Sequence, residues 1–326
     1  MEQINGVLVA GGGVVGLTLA TSLAQKGVPV TVLETAPALV KEFRASTFHP
    51  PTLEMLDALG VADRLIAEGI VSDKFQYRDR QEGLIAEFDL SLLRNDTPYP
   101  FRVQLEQYAL AVMLLDKLRR TDKADVRFNH RVSGATLFQN HVVVDVITPE
   151  GPLQMQVPYL IGADGATSIV RHALGVDFVG TTYPNLFLVL FTSFEFADHI
   201  PGICDVNYVW DPKEWFMLLR SPGIWRAVFP TRPEETGQNL VSDEAIQNRL
   251  QGIVPTGKPY DVIHSNLYRV HQRVAASYRK GRALLAGDAA HVNSPLGGMG
   301  LNGGIHDAVN LADKLTNIWL YQGKDD

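Results

Sequence analysis

The sequence predicts an α/β fold: a Rossmann-like dinucleotide-binding domain with an inserted, mainly antiparallel β-sheet domain. Three observations predict it. An apolar run, a glycine turn and a helical pattern succeed one another at the start of the chain. Two further glycine-rich stretches, Gly162-Ala163-Asp164-Gly165 and Gly287-Asp288 leading into Pro295-Leu296-Gly297-Gly298-Met299-Gly300-Leu301-Asn302, each follow another buried-strand pattern. From about Val176 onward, between those two stretches, the composition changes to aromatic-rich, strand-like segments.

The first unit reads residue by residue. Val7 to Ala10 is a short, β-branched-rich run, as in a strand buried on both faces. Gly11-Gly12-Gly13-Val14-Val15-Gly16 follows, then Leu17, Ala20, Leu23 and Ala24 recur at helical spacing until Gly27. Val30 to Leu33 is a second strand, ending on Glu34. Gly11 permits the tight turn, Gly13 lets the backbone approach a pyrophosphate, and Gly16 lets the helix pack close to the strand. The helix N-terminus, with the amides of Val14 and Val15, faces phosphate charge. Glu34 sits where a carboxylate accepts hydrogen bonds from a ribose 2′-hydroxyl and repels a 2′-phosphate. This stretch specifies a dinucleotide and leaves FAD and NAD both open.

The remaining elements follow in order. Leu53 to Leu59 and Ala62 to Glu68 read as short helices, and Phe75 to Arg80 and Leu84 to Leu90 as strands about a turn at Gln81-Glu82-Gly83. Gln104 to Arg120 reads as a long amphipathic helix with Leu110, Leu114, Leu115 and Leu118 inward. Val126 to Phe128, Ala135 to Phe138, Val142 to Ile147 and Val157 to Ile161 read as strands. In the aromatic stretch the strands are Leu186 to Phe196, Val206 to Trp210, Trp215 to Leu219 and Trp225 to Phe229, with a turn at Ser221-Pro222-Gly223. These aromatic residues suit an apolar pocket and plain core equally. Ser242 caps a helix from Ala245 to Ile253, Tyr260 to Val270 is a strand, Ala283 to Ala286 is a buried strand, and Gly303 to Tyr321 is a closing helix.

Bulk properties exclude several classes. The 326 residues suffice for two packed lobes. A net charge of −7, with no basic run, argues against a nucleic-acid groove. The single cysteine, Cys204, forms no internal disulfide and no CxxC metal site, which suits a reducing, cytoplasmic compartment. The start of the chain has no signal-peptide pattern, and no apolar run reaches membrane-spanning length, so stable membrane insertion is not expected.

The second and third glycine stretches carry the cofactor reading. Asp164 stands at a glycine turn, either as a turn former or as a residue stabilised by Arg171 beside a cofactor. In the third stretch a buried strand delivers Asp288 to the end of the sheet, the preferred place for a ligand-contacting carboxylate in open α/β folds. There it fits the sugar-alcohol chain between a flavin and its phosphates. The Pro295 loop exposes backbone amides, and Leu301 and Asn302 open a helix whose positive end would stabilise the negative pyrimidine ring of a reduced flavin. His291 either faces that flavin or holds the loop by hydrogen bonds.

With these motifs in place, the sequence resembles the FAD-dependent aromatic hydroxylases, single-component flavoprotein monooxygenases of the para-hydroxybenzoate hydroxylase type. The resemblance rests on Gly11-x-Gly13-x-x-Gly16 with Glu34, on Asp164-Gly165, and on Gly287-Asp288-Ala289-Ala290-His291 with Pro295-x-Gly297-Gly298-x-Gly300-x-Asn302. It extends to Ile305-His306-Asp307-Ala308 and Asn310-Leu311. It implies a Rossmann-like FAD-binding domain built from residues 1–72, 101–175 and 274–326, and a mainly antiparallel β-sheet substrate domain from 73–100 and 176–273. It also implies site residues: Arg44 near the FAD phosphates and sugar chain, Gln104 on the ribityl chain, and Val132 at the adenine. Asp164 would link FAD binding with passage of the nicotinamide donor. Pro295, Gly297 and Gly298 form the flavin-facing loop, with Gly300, Leu301 and Asn302 beyond it.

The implied reaction uses NADPH or NADH as a transient donor and O₂ to hydroxylate a small aromatic substrate, a phenol, through a flavin hydroperoxide. No dedicated nucleophile is needed, in keeping with the lack of a Ser-His-Asp or Cys-His pattern. Tyr183, Tyr208, Tyr268, His264 and His271 are the residues available to help deprotonate a phenol, and none is singled out. Two other readings use the same motifs: an FAD-dependent dehydrogenase or reductase, and a non-catalytic redox-sensing flavoprotein. The match departs from the family at the C-terminus, where members usually continue into a segment that covers the site or forms the dimer, whereas this sequence ends at Asp326.

Overall fold

The structure, a computed structural model, describes residues 1–231, 235 and 240–321. The first βαβ unit forms as its pattern dictates. Val7–Ala10 and Val30–Leu33 pair in parallel at the centre of a six-stranded sheet. Its strand order is Arg279–Lys280, Ala283–Leu285, Tyr159–Gly162, Val7–Ala10, Val30–Leu33 and Ala124–Arg127, parallel throughout except at the Arg279–Lys280 edge. All three glycine stretches leave the same end of adjacent strands of this sheet. That adjacency lets segments far apart in sequence meet at one site.

Helices Val14–Gln25, Gln107–Leu118 and Met299–Tyr321 cover one face. Leu17, Leu19 and Leu23 are wholly buried there, each contributing about 2 kcal/mol by area. The other face packs on a four-stranded sheet of Glu2–Gln3, Gly151–Val157, Val142–Thr148 and Arg131–Leu137, sharing a core through Leu8, Val144, Met155 and Leu160.

A second large sheet has eight strands in the order His291–Val292, Val262–Ala275, Phe178–Thr192, Ile224–Pro230, Phe216–Ser221, Val206–Trp210, Lys74–Asp79 and Gly83–Asp89. Its pairings are antiparallel except between Val206–Trp210 and Lys74–Asp79. One face buries Leu188, Leu190, Leu218 and Phe229 against helix Asp243–Ile253 through Ile246 and Leu250. The opposite face looks toward the glycine stretches. His291–Val292 joins this sheet although it lies in the third glycine stretch, so the two lobes share a strand contact there.

Several boundaries differ from the sequence reading, each for a local reason. The long helix begins at Gln107; Gln104 instead ends the strand Arg102–Gln104, which pairs with Thr47–Phe48 and Ile70–Ser72. The expected strand from Val157 to Ile161 is two strands, Gly151–Val157 and Tyr159–Gly162, in different sheets. The strand expected from Leu186 starts at Phe178. Pro184, which has no amide to pair, falls in a register irregularity between Thr182 and Leu186 that the strand passes through. The first short helix starts at Pro50, because proline suits the first helical turn.

Candidate functional site

A cavity of about 1500 Å³ runs from the first glycine turn, past Asp164 and Asp288, to the Pro295 loop and the inner face of the large sheet. It exceeds the ~300–1,000 Å³ typical of single small-ligand pockets, so a long cofactor and a substrate fit together.

At its nucleotide end the three fingerprint glycines have three different causes. Gly11 has φ +107°, and a Cβ there would collide with the Ala163 carbonyl. A Cβ at Gly16 would collide with the Gly11 carbonyl, so Gly16 serves helix packing. Gly13 has open space where a Cβ would stand and lines the cavity with Val14 and Val15. The Val15 side chain fills the gap between Gly287 and Gly304. Glu34 accepts hydrogen bonds from the Gly12 amide at 2.7 Å and the Ala36 amide at 2.8 Å, which fixes its carboxylate at the cavity wall. Each oxygen retains a lone pair for a further donor. Arg44 lines the cavity with its guanidinium on Glu42, and Val132 lines it at a register irregularity between Val132 and Gly134.

Gln104 does not reach the cavity. It is fully buried, and its Oε1 accepts from Thr47 Oγ1 at 2.9 Å. Gln107, at the true helix start, lines the cavity in its place. Nothing in the sequence alone separated Gln107 from Gln104, because the choice depends on where the helix begins.

Asp164 is held by its own chain. It accepts from Ser168 Oγ at 2.5 Å, the Ile169 amide at 2.7 Å and the Val170 amide at 3.1 Å, closing the turn into helix Ile169–Ala173 while still lining the cavity. Arg171 forms no hydrogen bond with it. Buried to 3% exposure, Arg171 donates to the Ala289 carbonyl at 2.9 Å and the Ala166 carbonyl at 2.7 Å, and stacks on Phe178. It thereby ties the second glycine stretch to the third. Asp288 opens onto the cavity, and burial by the surrounding walls pushes its carboxyl up, against His291 and Arg44. His291 Nε2 meets Asp307 Oδ2 at 2.7 Å, and the same oxygen accepts the Gly287 amide at 2.9 Å. That hydrogen bond raises the His291 pKa and ties the third glycine stretch to helix Met299–Tyr321.

The loop itself turns on Gly297 (φ +83°) and Gly298 (φ +66°). Asn302 is 1% exposed and fully engaged: Nδ2 donates to the Thr47 carbonyl at 2.8 Å and the Gly298 carbonyl at 2.6 Å, while Oδ1 accepts the His49 amide at 3.0 Å. Its side chain is a lock for the loop and faces away from the cavity, which Pro295, Gly298, Gly300 and Leu301 line. His49 Nε2 donates to the Gly297 carbonyl at 2.9 Å; burial and the Arg102 charge lower its pKa to about 4, so the ring is a neutral donor at neutral pH.

The inner sheet face forms the other wall. Period-two alternation and the pairing registers place Leu219, Arg226, Phe191 and His264 in one row across four strands. Met217, Val228, Val189 and Asn266 form the next row, with Phe187 and Tyr268 beyond. His264 packs against Phe43 and Phe191. Burial pushes the Tyr268 phenol up to about 12. Of the other residues considered for deprotonation, Tyr208 lies behind the loop against Arg102 and Gly297, His271 bonds Thr182 Oγ1 at 2.9 Å, and Tyr183 is exposed.

Comparison with known proteins gives the family. The family described as FAD binding domain matches residues 5–326. Para-nitrophenol 4-monooxygenase of Pseudomonas sp. (strain WBC-3) is 35% identical over 328 residues, covering 98% of this chain and 79% of that protein. The crystal structure of p-nitrophenol 4-monooxygenase from Pseudomonas putida DLL-E4 superposes with a TM-score of 0.94 at 33% identity, over 99% of this chain and 82% of that one. The ternary complex of aklavinone-11 hydroxylase with FAD and aklavinone gives a TM-score of 0.86 at 26% identity, over 99% of this chain and 64% of that one. Motif order, cavity and relatives agree, and the chain belongs to the FAD-dependent aromatic hydroxylases.

Proposed function

We propose that this FAD-dependent monooxygenase takes electrons from NADPH or NADH and uses O₂ to hydroxylate a small phenolic substrate held against the inner sheet face. The observation that carries the reading is one continuous cavity joining the dinucleotide turn to an aromatic-lined wall. Named relatives acting on nitrophenol support it. When bound, FAD supplies hydride acceptance and O₂ activation, chemistry no side chain here provides.

In this reading the amides of Gly13, Val14 and Val15 face the pyrophosphate, and Glu34 accepts from the adenosine ribose. Val132 borders the adenine, Arg44 faces the phosphates, and Asp288 and Gln107 bond the ribityl chain. The Gly300 and Leu301 amides, at the start of helix Met299–Tyr321, face the flavin pyrimidine. Asp164 acts by shaping the turn beside the cofactor. Residues 1–72, 101–175 and 274–326 make up the FAD lobe, and 73–100 with 176–273 the substrate lobe; 232–234, 236–239 and 322–326 lie outside the described residues.

The chain's own part in catalysis is to orient and to exclude water. Asn302 and His49 fix the loop from behind, and the apolar row of Met217, Val228 and Val189 takes the ring face. Tyr268, kept protonated, offers its phenolic hydrogen to a substrate oxygen. No helix among the described residues is long and apolar enough to cross a membrane. The test is NAD(P)H oxidation over a panel of phenols with analysis of products. Substrate-stimulated donor use with an oxygenated product supports the reading, and donor use without one contradicts it.

A further inference from the structure

We infer that Glu106 sets the charge preference of the cavity: by neutralising Arg226 in the cavity wall, it makes the site select phenols that carry no carboxylate. The inference rests on the hydroxylase reading for the identity of the ligand, and on the following geometry for its charge.

Arg226 stands in the first row of the sheet wall between Leu219 and Phe191, 5% exposed, its guanidinium 5.1 Å from the Phe191 ring centroid. Nη2 donates to Glu106 Oε1 and Nη1 to the Arg44 carbonyl, while Nε has no hydrogen-bond partner. Glu106 comes from the opposite lobe, as the residue immediately before helix Gln107–Leu118. The pair therefore bridges the two lobes, with Arg226 alone of the two lining the cavity, and carries no net charge. A guanidinium retains its proton when buried, so a free Arg226 would be an anchor for a substrate carboxylate. Paired with Glu106, the lining Arg226 has its charge already balanced by a carboxylate, and the cost of burying a substrate carboxylate beside it goes uncompensated.

The other groups facing this wall do not replace the lost charge. Tyr268 remains a neutral phenol, Asn266 is a neutral amide, and His264 is separated from Arg226 by Phe191. Lys41 also lines the cavity, but it is exposed to solvent, where water and salt screen its charge. The wall thus fits an aromatic ring with neutral hydrogen-bonding substituents.

The matched pair 4-hydroxybenzamide and 4-hydroxybenzoate tests this on the FAD-loaded protein, with affinities measured by calorimetry and so independent of turnover. Wild type should bind the amide about tenfold or more tighter than the carboxylate. Glu106→Gln should raise carboxylate affinity by about tenfold with the amide little changed, and Glu106→Gln combined with Arg226→Gln should abolish that gain. If Glu106→Gln does not fold, the double variant, which buries no unpaired charge, must still discriminate against the carboxylate as wild type does. The inference is overturned if wild type binds the carboxylate as well as the amide, if the amide does not bind, or if the gain survives in the double variant. Absence of oxygenated product from any phenol would instead sink the hydroxylase reading while leaving these affinity ratios readable.

Discussion

Glu34 and Asp288 stand at the two ends of the nucleotide path, one fixed by two backbone amides and the other open to the cavity. Replacing either with alanine removes a charge-assisted hydrogen bond worth about 1.5–3 kcal/mol, which is roughly a 10- to 150-fold loss of FAD affinity. Flavin titration of the apo-proteins measures it, and wild-type affinity in both variants would move these residues out of the site. The two glutamines make a sharper comparison. Gln107→Ala should weaken FAD binding by about tenfold, whereas Gln104→Ala should cost stability by about 1 kcal/mol through the lost Thr47 bond and leave FAD affinity intact. The reverse outcome would restore Gln104 to the site. At this scale the sequence was legible where backbone geometry demands a residue type, as at Gly11 and Gly16. It misled where side-chain direction depends on an element boundary three residues away. The same holds for Arg171: its proximity in sequence suggested a pair with Asp164, but the chain turns it toward Ala289, a partner 118 residues away.

The loop from Pro295 to Gly298 is an element with little structure of its own, held by groups from elsewhere. Asn302 reaches back to Gly298 and across to Thr47, and His49 supports the Gly297 carbonyl. Gly298 has φ +66°, and a Cβ there would lie 3.3 Å from Thr47 Cβ. Gly298→Val should therefore add about 1–3 kcal/mol of backbone strain and abolish turnover while the parallel sheet survives, as circular dichroism beside an activity assay would show. Retained activity would mean the loop tolerates displacement. His49 also gives the loop a pH signature. Its pKa is about 4 in the folded protein against an ordinary 6.5. Between those values the unfolded chain binds a proton that the folded chain does not, so stability falls as pH falls through this window. The loss approaches about 3 kcal/mol by pH 4. His49→Gln keeps an N–H for Gly297 and removes the titration, so its urea stability should fall less between pH 7 and pH 4.5. Equal losses in both proteins would contradict the assignment. Nothing in the sequence marked His49, because its partner lies 248 residues away.

Across the whole molecule, three strands of one parallel sheet bring the three glycine stretches together, and the antiparallel sheet closes the cavity they open. The parallel sheet was legible because strands buried on both faces read as continuous apolar runs, and each ran into a glycine turn. The pocket wall was legible only as composition: aromatic strands signalled a sheet, but which residues face the cavity follows from register, which pairs Phe191 with Arg226 on one side and His264 on the other. The Arg226–Glu106 pair joins residues 120 positions apart and had no sequence signature. In the proposed function this assembly transfers an oxygen atom from O₂ to a phenol at the expense of NAD(P)H. The most direct measurement is turnover of an accepted phenol under ¹⁸O₂ in unlabelled water, with mass spectrometry of the product. One labelled oxygen is expected in the hydroxylated ring. Product labelled only from water, or donor oxidation that an external acceptor supports without any oxygenated product, would contradict it.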